Sequence, residues 1–240
     1  MTDPVEPTTT LSVARDGDGA MDMPVWLPDG GSGPALVLVQ EIFGVGEWIR
    51  AVATELAAEG YVVGAPDLYW RLEPGFTASG DEEGMQAAFA LAGRLDLPAA
   101  VGDVVAALEA LDAHEAVVGY PGVLGYCLGG TLAWMAAAVG NPAVCVSYYG
   151  SGVPDALDEL EAVHCPTLLH FGGDDPYIAR EGVDRVAGAV EGQERIEVHV
   201  HEGAGHAFEN DRAPQFHDPD AAARSRRLTL DFLGRHHTGG

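Results

Sequence analysis

Short runs of consecutive apolar residues alternate along this chain with longer stretches whose apolar positions recur every three or four residues. Ala35 to Val39 is the clearest short run: five apolar residues, partly β-branched, entered through Gly33-Pro34. Such a run reads as a strand buried on both faces. Tyr61 to Val63, Val117 to Leu124, Val144 to Tyr148, Thr167 to Phe171 and Ile196 to His201 also read as strands. Between them, Trp48 to Glu59 has Ile49, Val52, Ala53 and Leu56 on one face and stops at Gly60, the signature of an amphipathic helix. Met85 to Leu95, Ala99 to His114, Thr131 to Val139, Arg180 to Val190 and Ala221 to Leu233 are also helical. Strands alternating with helices predict an α/β fold, a mostly parallel central sheet with helices on both faces.

Before the first buried run, Met21 to Leu27 reads as an edge strand, and the polar residues 1–20 as a frayed segment ahead of a single domain over 21–240. In open parallel sheets the ligand site lies beyond the carboxyl ends of the strands. The segments after Val39, Val63, Leu124, Phe171 and His201 are therefore where chemistry is expected.

The segment after Leu124 reads Gly125-Tyr126-Cys127-Leu128-Gly129-Gly130 and leads into an Ala-rich helix. This is the G-x-S-x-G strand-to-helix elbow with cysteine as the central residue. Small flanking residues let the chain turn sharply. The cysteine then sits at a helix N-terminus, where the dipole and free N–H groups favour a thiolate. After Phe171 comes Gly172-Gly173-Asp174-Asp175. An acid there can orient a histidine; Asp174 competes for the role, and Asp175, three residues past Gly172, has the more usual spacing. After His201 comes Gly203-Ala204-Gly205-His206, a histidine in a glycine-flanked loop before the last helix. The order Cys127, Asp175, His206 is that of the α/β-hydrolases. After Val39, Gln40-Glu41-Ile42 places an acid close to the elbow, able to accept the thiol proton. The N–H groups of Ile42 and Leu128 are the expected oxyanion donors. Phe43, Tyr69, Trp70, Tyr126 and Phe208 are expected to border the cleft.

These motifs resemble the dienelactone hydrolase (carboxymethylenebutenolidase) family. The likeness is carried by Gln-Glu-Ile-Phe-Gly at 40–44, Ala-Pro-Asp-Leu-Tyr at 65–69, Gly-Tyr-Cys-Leu-Gly-Gly at 125–130, His-Phe-Gly-Gly-Asp-Asp at 170–175 and Gly-Ala-Gly-His-Ala-Phe at 203–208. The resemblance implies an α/β-hydrolase fold and a thioester acyl-enzyme formed on Cys127, with His206 and Asp175 as its partners. It also implies Glu41 as the acid controlling the thiol, and no cofactor. The arginines with which family members hold the carboxylate of dienelactone are not in register here: the matching stretches read Asp81 to Met85 and His206 to Asn210.

Composition narrows the partners. Net charge is −25, with 37 acidic residues against 12 basic ones, all arginine. Such a surface repels phosphate backbones and anionic lipid, so nucleic acid and membrane are not expected partners. The substrate is expected to be a small ester or lactone, and the protein a monomer or small homo-oligomer. Three cysteines and no apolar run at the N-terminus read as a cytoplasmic protein rather than a disulfide-stapled secreted one. His199 and His201 alternate on a strand without a third ligand, so no metal is expected. The competing reading is a hydrolase-fold protein that no longer hydrolyses and instead binds a small molecule or senses oxidants through Cys127.

Overall fold

The computed structural model describes residues 3–15, 17 and 19–239. Its strands are β1 (Thr9–Arg15), β2 (Gly19–Trp26), β3 (Ala35–Val39), β4 (Val62–Gly64), β5 (Gly122–Tyr126), β6 (Cys145–Tyr148), β7 (Thr167–Gly172) and β8 (Ile196–His201). Its helices are α1 (Glu47–Ala58), α2 (Glu82–Ala92), α3 (Leu97–Asp112), α4 (Leu128–Gly140), α5 (Arg180–Ala189) and α6 (Pro219–His236). The strands form one sheet in the order β1-β2-β4-β3-β5-β6-β7-β8. Pairing is parallel from β4 through β8 and antiparallel where β2 meets β1 and β4.

The core follows from the apolar runs. Every residue of β3, β5, β6 and β7 is buried, as strands covered on both faces must be. Helix α4 is apolar nearly all round and packs on β5, β6 and α3. On the other face, Arg226 of α6 reaches Glu55 of α1 at 2.6 Å. Aspartates cap α2, α3 and α6: Asp81, Asp96 and Asp218 each accept a hydrogen bond from a first-turn N–H.

Two expectations differ from what is observed. Residues 9–15 are a strand rather than a frayed segment, and β2 is flanked on both sides rather than lying at the edge. Only Val13 of β1 is buried, so an edge strand with one wet face carries a polar composition. Its end is anchored by Arg15, whose Nε lies 2.8 Å from buried Asp103 in α3. The β5 strand also starts and ends later than its apolar run: Pro121 lies just before it, and Val117 makes only an isolated bridge to Gly33. The shift carries the strand through Tyr126 and delivers Cys127 at its exit.

Candidate active site

Cys127 leaves β5 with φ 55° and ψ −116° and opens α4. That backbone state is unfavourable for a residue with a side chain and is held by its surroundings. Its N–H donates to the Tyr148 carbonyl at 2.9 Å and its carbonyl accepts from Thr131 N–H at 3.1 Å. The flanking glycines are required by close backbone approach. A Cβ on Gly125 would lie 2.0 Å from the Gly129 carbonyl oxygen, and one on Gly129 would lie 2.3 Å from that of Val39. Leu128 is the first residue of α4, so its N–H has no partner within the helix.

The loops after β7 and β8 bring the imidazole and its acid together. His206 Nδ1 donates to Asp175 Oδ2 at 2.7 Å, and Asp175 Oδ1 accepts from Tyr177 N–H at 2.8 Å. Both residues are buried, whereas Asp174 is exposed, so Asp175 is the one of the two aspartates that meets the imidazole. With Nδ1 engaged, the other ring nitrogen is left for the thiol. Burial works against the imidazolium, but hydrogen bonds to Asp175 and Cys127 outweigh it, and His206 is pushed up to about 10. Residues with positive φ collect here: Cys127, Tyr149 and Ala207 are three of the four non-glycine cases among the described residues.

The loop after β3 supplies a second carboxyl. Glu41 is 2% exposed, and its Oε2 accepts from Asn210 Nδ2 at 3.0 Å. Burial raises its pKa to about 7, against the charge of His206 and the Asn210 and Tyr149 hydrogen bonds, which lower it. Gln40 Oε1 accepts from Leu68 N–H at 3.1 Å and Tyr69 donates to the Ile42 carbonyl at 2.9 Å, so this loop is tied to the one after β4.

Glu41, Ile42, Phe43, Cys127, Leu128 and His206 all face one cavity of about 260 Å³. The other expected cleft residues do not. Tyr69 is fully buried and braces the Ile42 loop from behind. Trp70 donates to Asp103 at 3.0 Å, and Arg71 pairs with the same carboxylate. Tyr126 stacks on Tyr148 with ring centroids 4.6 Å apart, in the core. Phe208 is fully buried against Tyr149 and His201. Each is aromatic and near a motif, and each is drawn into the protein by partners on other elements. Sequence reasoning missed Tyr149, which packs on His206 at 5.1 Å, and Tyr177, which meets it edge-on at 5.0 Å. Tyr149 follows β6, a strand end with no polar motif to mark it. Asn210, four residues past His206, lay in plain view as a polar residue beside the motif.

His201 and His170 bond to each other, Nε2 to Nδ1, at 3.1 Å in the interior, and His199 stacks on His170. Among the described residues no group of three or more His, Cys, Asp or Glu is arranged to hold a metal, and no helix is long and apolar enough to cross a membrane.

Fold and site together define an α/β-hydrolase: a strained residue at a strand-to-helix elbow, an aspartate after β7, a histidine after β8, and a mostly parallel sheet beneath them. The chain matches the dienelactone hydrolase family over residues 21–237. A carboxymethylenebutenolidase from Pseudomonas sp. (strain P51) is 37% identical over 232 residues, 95% of each chain. One from Pseudomonas putida is 35% identical over 201 residues, 83% of this chain and 85% of that one. The crystal structure of dienelactone hydrolase from Anabaena variabilis shares the fold with a TM-score of 0.70 at 20% identity, covering 98% of this chain and 100% of that one. The chain belongs to the dienelactone hydrolase family and is a hydrolase of that type.

The raised Glu41 has a consequence for stability. A carboxyl whose folded pKa lies near 7 rather than 4.5 contributes stability below about 4.5 that is lost as pH rises through 7. Glu41→Gln keeps an acceptor for Asn210 without the charge. It is expected to match the wild type at pH 4 and to exceed it by ~2–3 kcal/mol at pH 8 in urea unfolding. A variant no more stable than the wild type at pH 8 would show that the carboxyl is not held in a desolvated state.

Proposed function

We propose that the chain hydrolyses a small ester or enol lactone through a thioester formed on Cys127. His206, oriented by Asp175, takes the thiol proton, with buried Glu41 as a second acceptor beside it. The thiolate attacks the substrate carbonyl, and the oxyanion is received between the N–H groups of Ile42 and Leu128. Collapse expels the alkoxide or enolate, which takes a proton from His206. A water molecule, deprotonated by His206, then attacks the thioester, releasing the acid and restoring the thiol. A thiolate leaves more easily than an ordinary alkoxide, so esters with good leaving groups, such as aryl esters and enol lactones, are the expected substrates.

The observation that carries this reading is the 2.7 Å His206–Asp175 bond, with the thiol of Cys127 hydrogen-bonded to the same histidine. The names of the Pseudomonas relatives support a lactone as substrate class. Acid quench during turnover of para-nitrophenyl acetate, followed by intact mass and peptide mapping, is expected to place an acetyl group on Cys127. A sulfenic acid at Cys127 without turnover of any ester would favour the oxidant sensor instead.

A further inference from the structure

The cavity over Cys127 has nearly one chemical character. Beyond Glu41, His206, Thr131 and Ser151, its walls include Met85 and Phe89 of α2, Leu97 at the start of α3, Phe216 and Tyr177. No arginine lines it, and the chain has no lysine. The arginines closest along the motifs are committed elsewhere: Arg71 to Asp103, and Arg212 to Glu47 at 3.3 Å beside a neighbouring cavity. The acid that faces the cavity, Glu41, disfavours a second negative charge.

The mouth repeats the pattern. Phe89 is 49% exposed, Leu97 39% and Tyr177 51%, and they are three of the seven large exposed apolar residues among the described ones. Phe89 and Tyr177 meet with ring centroids 6.4 Å apart. Exposed apolar side chains clustered around a cavity mark a surface that a ligand covers.

Resting on the acyl-transfer reading above, we infer that this site selects an uncharged, apolar acyl or aryl group and rejects substrates carrying a carboxylate on it. A carboxylate entering this cavity loses hydration against Met85, Phe89 and Leu97 and finds no arginine or lysine to replace it, while the imidazolium of His206 is already engaged by Asp175 and Cys127. The net charge of −25 also repels anions at a distance, but that effect is screened by salt and the wall's effect is not.

The test compares three para-nitrophenyl esters of the same chain length: the hexanoate, the monoester of adipic acid, and its methyl ester, in which the charge is masked. The wild type is expected to show kcat/KM about 100-fold higher for the hexanoate than for the anionic adipate, with the methyl adipate within about 5-fold of the hexanoate. The preference is expected to persist at roughly 0.5 M salt, where exposed charges are screened. Phe89→Arg and Leu97→Arg, both at half-exposed positions, are expected to narrow the ratio by about 10-fold through a charge-assisted contact. Anionic adipate turned over within about 3-fold of the hexanoate, by the wild type but not by Cys127→Ala, would overturn this inference and leave the thiol chemistry standing. A preference that vanishes in salt, or that neither arginine variant narrows, would also overturn it. Turnover of none of the three esters would sink the acyl-transfer reading and this inference with it.

Discussion

Cys127→Ala is expected to lose on the order of 10⁴- to 10⁶-fold in kcat/KM on an activated aryl ester, the scale seen when a covalent nucleophile is removed. The proper comparison is Cys145→Ala. Cys145 is fully buried in β6, remote from the cavity lining, and burial pushes its thiol pKa well up, so it is a packing residue. Its removal is expected to cost about 1 kcal/mol of stability and to leave activity within about 2-fold. Cys127→Ser separates shape from chemistry. It keeps the elbow and the His206 contact but replaces sulfur with oxygen, whose hydroxyl is the weaker acid and the poorer nucleophile, so its rate is expected to fall well below wild type while the fold is unchanged. Equal activity in the Cys127→Ala and Cys145→Ala proteins would remove the thiol from the mechanism.

The second large effect is structural. Gly129→Ala places a methyl group 2.3 Å from the Val39 carbonyl oxygen and 2.5 Å from that of Gln40. Neither oxygen belongs to a flexible side chain, and the Gln40 side chain is pinned to Leu68. Relief requires moving α4 off the end of β3, which shifts Cys127 relative to the Ile42 N–H. We expect a loss of about 3 kcal/mol or more, read as a fall in Tm of roughly 10 °C, together with loss of activity. Gly188→Ala is the control. It lies within α5 with nothing within 4 Å of the added methyl, so it is expected to stabilise by about 0.5–1 kcal/mol. If both variants melt alike, close packing at the elbow is not what requires glycine at 129.

How much of this was legible in the sequence depends on whether a local pattern or a distant neighbour decides each feature. The buried strands and the helices between them were readable because burial on both faces forces unbroken apolar runs. Cys127, Asp175, His206 and Glu41 were readable because each stands in a short segment just beyond such a run. Strand β1 was not, because an edge strand with one wet face needs few apolar residues, and what holds it is Arg15 reaching Asp103, 88 positions away. The cavity wall was not readable either. Tyr69, Trp70, Tyr126 and Phe208 are aromatic and close to motifs, but the direction of each ring is set by partners on other elements. The residues that do line the mouth, Met85, Phe89 and Leu97, sit on helices whose pattern announces only amphipathicity.

The groups proposed to react hang from the ends of parallel strands, whereas Met85 and Phe89 of the cavity wall rest on α2, a helix with only Ala88 and Leu91 buried. These two parts answer to different constraints. Changes on the outer helix cost the molecule little cohesion, while changes at the strand ends cost it a great deal. A lineage built this way is free to alter its diet by drift in one short segment while its reaction stays fixed.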